Sequence, residues 1–252
     1  INFFFYRPKT IITQMTPLPV IDSFFFFILK YFCEIVHTVH NSDPFHNDGN
    51  YLQRSFNNIY LKNFKRFICH SEQTRLNLIN KGFLKENILK FEIPIYFKNL
   101  KYKEIKKKNT NKFNILFFGL IRKYKGLDIL IKAIPKIKTK KKFNVTVAGK
   151  QMMNLKNILN FIKKKKIKRI VNWKIGYKNN REISKLFNDA DLVVLPYKNI
   201  DASGILNLCF AFRTPVLVSD LKSFKYDYKS NDGITYAKKN NINDFANKIS
   251  HL

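Results

Sequence analysis

The sequence predicts an α/β fold made of two doubly wound halves, each a parallel sheet covered by helices on both faces. Three observations carry that reading. Short apolar runs alternate with longer segments of helical period, the pattern of strand–helix–strand crossovers. The runs read apolar throughout, as strands buried on both faces do, rather than alternating with polar residues. A Lys-rich stretch with almost no apolar residue, 98–111, separates two such series.

Taken in order, the first series has expected strands at 10–14, 34–39, 66–70 and 88–93. The second has them at 112–118, 143–148, 169–173, 191–195 and 215–219. Between them Leu127, Leu130, Ile131, Ile134 and Ile137 recur at helical spacing after Gly126, and Pro135 is placed to kink or end that helix. Ile158, Phe161 and Ile162 mark a second helix of this half; Ile183, Leu186, Phe187 and Ala190 mark a third. In the first half, Ser71 is placed to cap a helix that Gly82 closes. The expected domains are 1–100 and 112–252, with 101–111 as a solvated linker.

Composition sets the outer limits. A chain of 252 residues with 45% hydrophobic content has enough apolar mass for sizeable cores and is not a disordered polymer. Cys33, Cys69 and Cys209 are far apart and odd in number, which argues against a disulfide framework or a zinc cluster and for a reducing compartment. The formal net charge is +30, and the basic residues are 39 Lys against 8 Arg. Such a surplus fits nucleic acid, an anionic membrane, or simply a composition drawn from A/T-rich codons. Readers of phosphates and bases lean on the planar fork of Arg, which is scarce here. The apolar run 23–29 ends at Lys30, far short of the roughly 20 residues a bilayer requires. It has no basic leader or small-residue cleavage site of a signal peptide.

In doubly wound sheets, ligands bind beyond the carboxyl ends of the strands, so the loops there hold the candidate residues. The segment Gly119-Leu120-Ile121-Arg122-Lys123-Tyr124-Lys125-Gly126 places two cations beside a helix start, a combination suited to phosphate or equally to two solvated basic residues. Ser203-Gly204-Ile205 opens another helix after 191–195, either as an anion cradle or as a plain N-cap. His40 stands where an expected strand exits, and His37 lies inside that strand as buried structure. Tyr177 follows a strand and Gly176, placed for base stacking or for packing. No Walker A loop, dinucleotide fingerprint, zincin motif or nucleophile elbow occurs, and no metal constellation is visible.

In this order the segments resemble the family-4 (group 1) glycosyltransferases of GT-B fold. The markers are FFGLIRKYKGLDILIKA, NVTVAGK, ISKLFNDADLVVLPYKNIDASGIL and TPVLVSDL, over 113–252. HTVHN, FICHSEQTRLNLINKGF and EIPIYF resemble the latter part of the family's N-terminal domain more loosely. The resemblance implies two Rossmann-like domains facing a crevice, the first incomplete. It implies retaining, metal-independent transfer of a sugar from a nucleotide-diphosphate donor to a glycan or lipid-linked acceptor, without a cofactor. By the same resemblance, Arg122 and Lys125 neutralise the donor diphosphate and His40 faces the reacting sugar. Gly119, Tyr177, Asp201, Ser203, Gly204 and Ile205 form the rest of the expected donor site. The expected setting is cytoplasmic, with peripheral contact to anionic lipid and no specific nucleic acid.

The sequence also departs from the family's pattern. Ile200 and Leu208 occupy the positions of a Glu pair that many members carry, and Asp201 or Asn207 is the candidate replacement. Arg213 stands where Gly is usual, and Pro94-Ile95-Tyr96 replaces a common proline–histidine. The chain starts at Ile1, its first Gly is Gly49, and no Gly-rich first turn precedes His40. The expectation is therefore a fragment lacking N-terminal βα units and a closing C-terminal helix. Two other readings remain open here: a non-catalytic relative that keeps the fold, and a basic nucleic-acid-binding protein, which lacks the aromatic–basic platform such proteins use.

Overall fold

A computed structural model describes residues 7–14, 19–43, 51–91, 112–228 and 233–251. The expected linker, positions 92 and 93 of the fourth expected strand, and Pro94-Ile95-Tyr96 lie outside them. The described residues form two compact units. One comprises those up to 91 together with Lys222–Asp227; the other comprises 112–221 and the described residues from Tyr228 onward.

The first unit is a parallel sheet in chain order: β1 (Thr10–Thr13), β2 (Glu34–Val39), β3 (Arg66–Cys69) and β4 (Ile88–Lys90). Helices α1 (Pro19–Leu29), α2 (Tyr51–Leu61) and α3 (Glu72–Asn80) make the crossovers. Ile35 and Val39 of β2, Phe67 of β3, Tyr60 and Leu61 of α2, Phe64 after it and Leu78 of α3 close the core. Helix α3 starts where Ser71 accepts a hydrogen bond from the Thr74 backbone N–H, which satisfies one orphan donor of the first turn. It ends at Lys81 with Gly82 in the left-handed region, and Phe83 donates back to the Leu78 carbonyl as in a Schellman motif. The Phe run of α1 is not core: Phe24, Phe25 and Phe27 are exposed, and Phe26 alone of the four packs inward, on Tyr60 and Phe64.

His37 is buried in this core. Its ring stacks on Phe64 at 4.6 Å, and the Thr13 hydroxyl lies 2.7 Å from Nδ1. Burial first, and the nearby His40 second, push its pKa down to about 4, so the ring is held neutral.

The second unit is a six-stranded parallel sheet in the order β10-β9-β8-β5-β6-β7. The strands are β5 (Lys112–Phe118), β6 (Lys142–Gly149), β7 (Val171–Ile175), β8 (Leu192–Leu195), β9 (Val216–Ser219) and β10 (Ile234–Ala237). The helices are α4 (Leu127–Ala133), α5 (Lys156–Lys164), α6 (Asn180–Asn188), α7 (Gly204–Ala211) and α9 (Ile242–Ser250). Ile115, Phe117, Val145 and Val147 pack with Leu130, Ile158 and Phe245, from α4, α5 and α9. Phe118 meets Phe187 of α6 at 5.3 Å, and Phe187 stacks on Phe212 just after α7. The sheet is thus wound on both faces. The chain builds outward from β5 through β6 and β7, then returns to pair β8 on the other side of β5. That reversal is a topological switch point, the place where such sheets bind ligands.

Several expectations shift. The strand expected at 169–173 runs Val171–Ile175, because 167–170 is spent on a turn: Lys166 has φ 54° and Ile170 donates to the Ile167 carbonyl. Pro135 ends α4 early, and Ile134–Lys136 continues as one 3₁₀ turn. Strand β10 has no counterpart among the expected strands; it is four residues long and has polar Thr235 and half-buried Tyr236 at its centre. Lys222–Asp227, here α8, follows β9 in the chain yet clusters with the first unit. There the Asp227 carboxylate caps α3, accepting from the Glu72 N–H at 3.1 Å and pairing with Lys90.

Arg213, where glycine was the family's usual residue, keeps the glycine conformation: φ is 50°, and Thr214 donates to the Cys209 carbonyl across the end of α7. A left-handed non-glycine residue costs about 1–2 kcal/mol. Arg213→Gly is therefore expected to stabilise the protein by about 1 kcal/mol, read as a higher urea midpoint at unchanged slope.

The buried neutral His37 sets a second expectation. Its folded pKa lies below the ordinary 6.5, so the unfolded chain binds more protons between pH 6.5 and 4. Its contribution is complete above pH 6.5 and lost as pH falls to about 4, a step of roughly 3 kcal/mol. Denaturant titrations across that range should show the step in the native sequence and a smaller one in His37→Gln.

Candidate functional site

Both cationic and helix-start candidates lie in the second unit, on the loops that leave β5 and β8 at the switch point. Strand β5 ends at Gly119 with φ 118°. The loop then runs extended through Arg122, makes one 3₁₀ turn at Lys123–Lys125, and reverses at Gly126 with φ 69° to start α4.

Two glycines are fixed by close approach. A Cβ on Gly126 would stand 1.9 Å from the Pro196 carbonyl oxygen, at the end of β8. A Cβ on Gly149 would stand 1.9 Å from the Gly119 carbonyl oxygen. Only bare backbone fits at either place. The loops are tied further by Lys198, whose N–H donates to the Tyr124 carbonyl at 2.7 Å and whose ammonium pairs with Asp128 at 2.9 Å.

This packing buries Lys125, which is only 8% exposed. Its Nζ lies 5.2 Å from the centre of the fully buried Tyr197 ring and 3.1 Å from the point where a Gly119 side chain would begin. Ile205 Cδ1 comes within 3.4 Å of that same point. Ile205, distant in sequence, is thus brought to Gly119 and Lys125. Burial, with the Arg122 charge second, lowers the Lys125 pKa to about 8. Arg122 has its Nε buried with no hydrogen-bond partner. Among the described residues no carboxylate stands within ion-pair distance of Arg122 or Lys125.

Helix α7 begins beside them. Ser203 is its N-cap residue and is buried, but its hydroxyl makes no capping bond. Burial pushes the Tyr197 phenol strongly up, and the Ser203 side chain draws it back. Gly204 is exposed, and a Cβ there would meet nothing within 4 Å; in the first turn the Leu206 N–H donates to the Ser203 carbonyl at 3.1 Å. Asp201 is half-buried two residues before Ser203, and the N-cap position is not its own. Ile200 and Leu208, at the positions of the family's Glu pair, are both buried. Asn207 is buried too and accepts from the Tyr228 hydroxyl at 3.4 Å.

Tyr177 is 83% exposed on the loop after β7, and that loop is held to β6 by Gly176 donating to the Gly149 carbonyl at 3.0 Å. His40 belongs to the first unit, exposed at the exit of β2 beside His70. Tyr197 and Gly149 were not among the expected site residues. The proline–tyrosine pair of the β8 motif was the available signal for Tyr197; the close approach of Gly149 to Gly119 has no local signature. A hollow of about 390 Å³ between α4 and α5 is floored by Ile131, Met153, Ile158 and Phe161, and none of the expected donor-site residues lines it. Among the described residues no three metal-ligating side chains cluster.

Residues 98–252 match the family model described as glycosyl transferases group 1. No curated protein matches the chain by sequence. Among solved structures, HepE from Anabaena in complex with UDP and glucose superposes with TM-score 0.78 at 16% identity, over 96% of this chain and 68% of that one. A glycosyltransferase from Rickettsia africae gives 0.76 at 16%, over 99% and 68%. Sucrose-phosphate synthase from Thermosynechococcus elongatus gives 0.75 at 15%, over 99% and 65%. At these identities the likeness is one of fold.

The buried Lys125 should cost the empty protein stability. Its folded pKa lies below its ordinary 10.5, so burying the charge at pH 7 costs about 3 kcal/mol. Lys125→Met is expected to raise stability by up to that amount. The gain should shrink between pH 8 and 10.5, where the native lysine sheds its own proton. Thermal melts of both proteins at pH 7 and pH 10 check the size and the sign.

Proposed function

Because the chain belongs to the group 1 glycosyl transferases, we propose that it transfers a sugar from a nucleotide-diphosphate donor to a hydroxyl of a glycan or lipid-linked acceptor, with retention of configuration. One observation carries the donor assignment. Two cations, Arg122 and Lys125, stand together at the switch point with no carboxylate within ion-pair distance among the described residues, near the start of α7. A diphosphate supplies the missing negative charge. HepE, which shares the fold, was solved with UDP and glucose.

The chemistry follows from charge. Departure of a nucleoside diphosphate develops negative charge on its terminal phosphate. Fixed cations and helix dipoles aimed at that charge stabilise the transition state more than the ground state. Lys125 can do this without competing solvent because it is buried, and an arriving anion raises its pKa, so the lysine is fully charged when needed. Side-chain cations in this role provide the charge neutralisation for which other transferases recruit a metal, so the proposal includes no cofactor. Exposed Tyr177 stacks on the base, while Asp201 and Ser203 contact the donor. His40 contacts the transferred sugar. No described helix is long and apolar enough to cross a membrane. Exposed Phe24, Phe25 and Phe27, with Lys30 beside them, support peripheral contact with anionic lipid from the cytoplasmic side.

Incubation of the full chain with UDP-, ADP- and GDP-sugars and a hydroxyl acceptor tests this reading. Lys125→Ala should lower turnover roughly 100-fold or more, by analogy with loss of one preorganised donor. Proton NMR of the product should show the anomeric configuration of the donor, and chelator should leave the rate unchanged. An inverted product would overturn retention, and unchanged Lys125→Ala kinetics would overturn the cation assignment.

A further inference from the structure

We propose that His70 is the positioning residue for His40: it holds the His40 ring in one orientation and as the neutral imidazole at the exit of β2. The inference rests on the reading that His40 works in sugar transfer; His70 itself has no assigned part there.

The two residues meet because of strand register. Strands β2 and β3 are parallel neighbours with Val39 opposite Cys69, so His40 and His70 are the next cross-strand pair, at the carboxyl edge. Their ring centroids lie 5.1 Å apart at an interplanar angle of 38°. His70 is itself fixed: its Nδ1 lies 2.8 Å from the Phe91 carbonyl oxygen, just beyond β4. A carbonyl only accepts, so Nδ1 carries the proton in this bond. The anchored ring leaves His40 a restricted set of positions.

Electrostatics point the same way. Desolvation by its neighbours first and His70 second lower the His40 pKa, against a backbone hydrogen bond with Gln14 just past β1 that raises it. His37, on the same strand, is buried and neutral. Among the described residues the groups acting on His40 are His70 just after β3, the Gln14 backbone just after β1 and His37 of β2. Two imidazoles side by side resist double protonation. His40 is left as a neutral hydrogen-bonding group, suited to a sugar hydroxyl.

Two substitutions separate electrostatics from simple packing. His70→Asn keeps a donor for the Phe91 carbonyl but has no charge and no Nε2. His70→Phe keeps a ring but leaves that carbonyl unpaired. The His40 ring should be followed by NMR against pH in the full chain, and transfer rates measured over the same range. In both variants His40 should titrate at higher pH than in the native protein, and the acid limb of the transfer rate should move up with it. His70→Asn should keep the native melting temperature. An unmoved His40 titration in both variants overturns the proposal. If the native chain shows no transfer, the functional reading fails, but the NMR titration still decides whether His70 sets the state of His40.

Discussion

The second unit is organised around one unneutralised ammonium group. Lys125 is enclosed by the bare backbone of Gly119, the ring of Tyr197 and the Ile205 side chain, with Arg122 as its charged neighbour. A charge in such a place is costly, and packing alone does not call for it. Everything near it serves to keep it there. Gly126 lets the loop press on the Pro196 carbonyl, Gly149 lets it press on the end of β6, and Lys198 ties it to Asp128. Buried charge of this kind concentrates at functional sites.

The sheet order explains why the two motifs meet. Residues near 122 and near 203 are far apart in sequence, and reversal of winding at β5 and β8 makes their strands adjacent. Period and apolar runs made most strands and helices legible, because a strand buried on both faces must be apolar throughout. They did not reveal β10, where four residues with a polar centre leave too short a signal. They also misplaced β7 by two residues, since Arg169 and Ile170 read as strand but close a turn.

Legibility of the site was uneven for a similar reason. Arg122, Lys125, Ser203 and Gly204 lie on segments whose local pattern announces a strand followed by a helix start. Tyr197 lies on one of those segments too, but its place beside the Lys125 ammonium is a tertiary fact that the local pattern does not carry. The departures from the family pattern sort themselves physically. Leu208 and Ile200 are buried, so their apolar character is consistent with the packing around α7. Arg213 retains a left-handed turn at a cost instead of repacking it. His40 and His70 needed β2–β3 register to be seen as a pair.

Calorimetry of nucleoside diphosphate binding tests the central claim most directly. UDP, ADP and GDP would each be titrated into the full chain near pH 8.5, in two buffers of different ionisation heat. A diphosphate that seats on Lys125 must raise its pKa from about 8, so binding should take up a fraction of a proton, seen as a buffer-dependent heat. That uptake should vanish in Lys125→Met while weaker binding persists. Binding with no proton uptake, or with the same uptake in Lys125→Met, would place the diphosphate elsewhere and contradict the account.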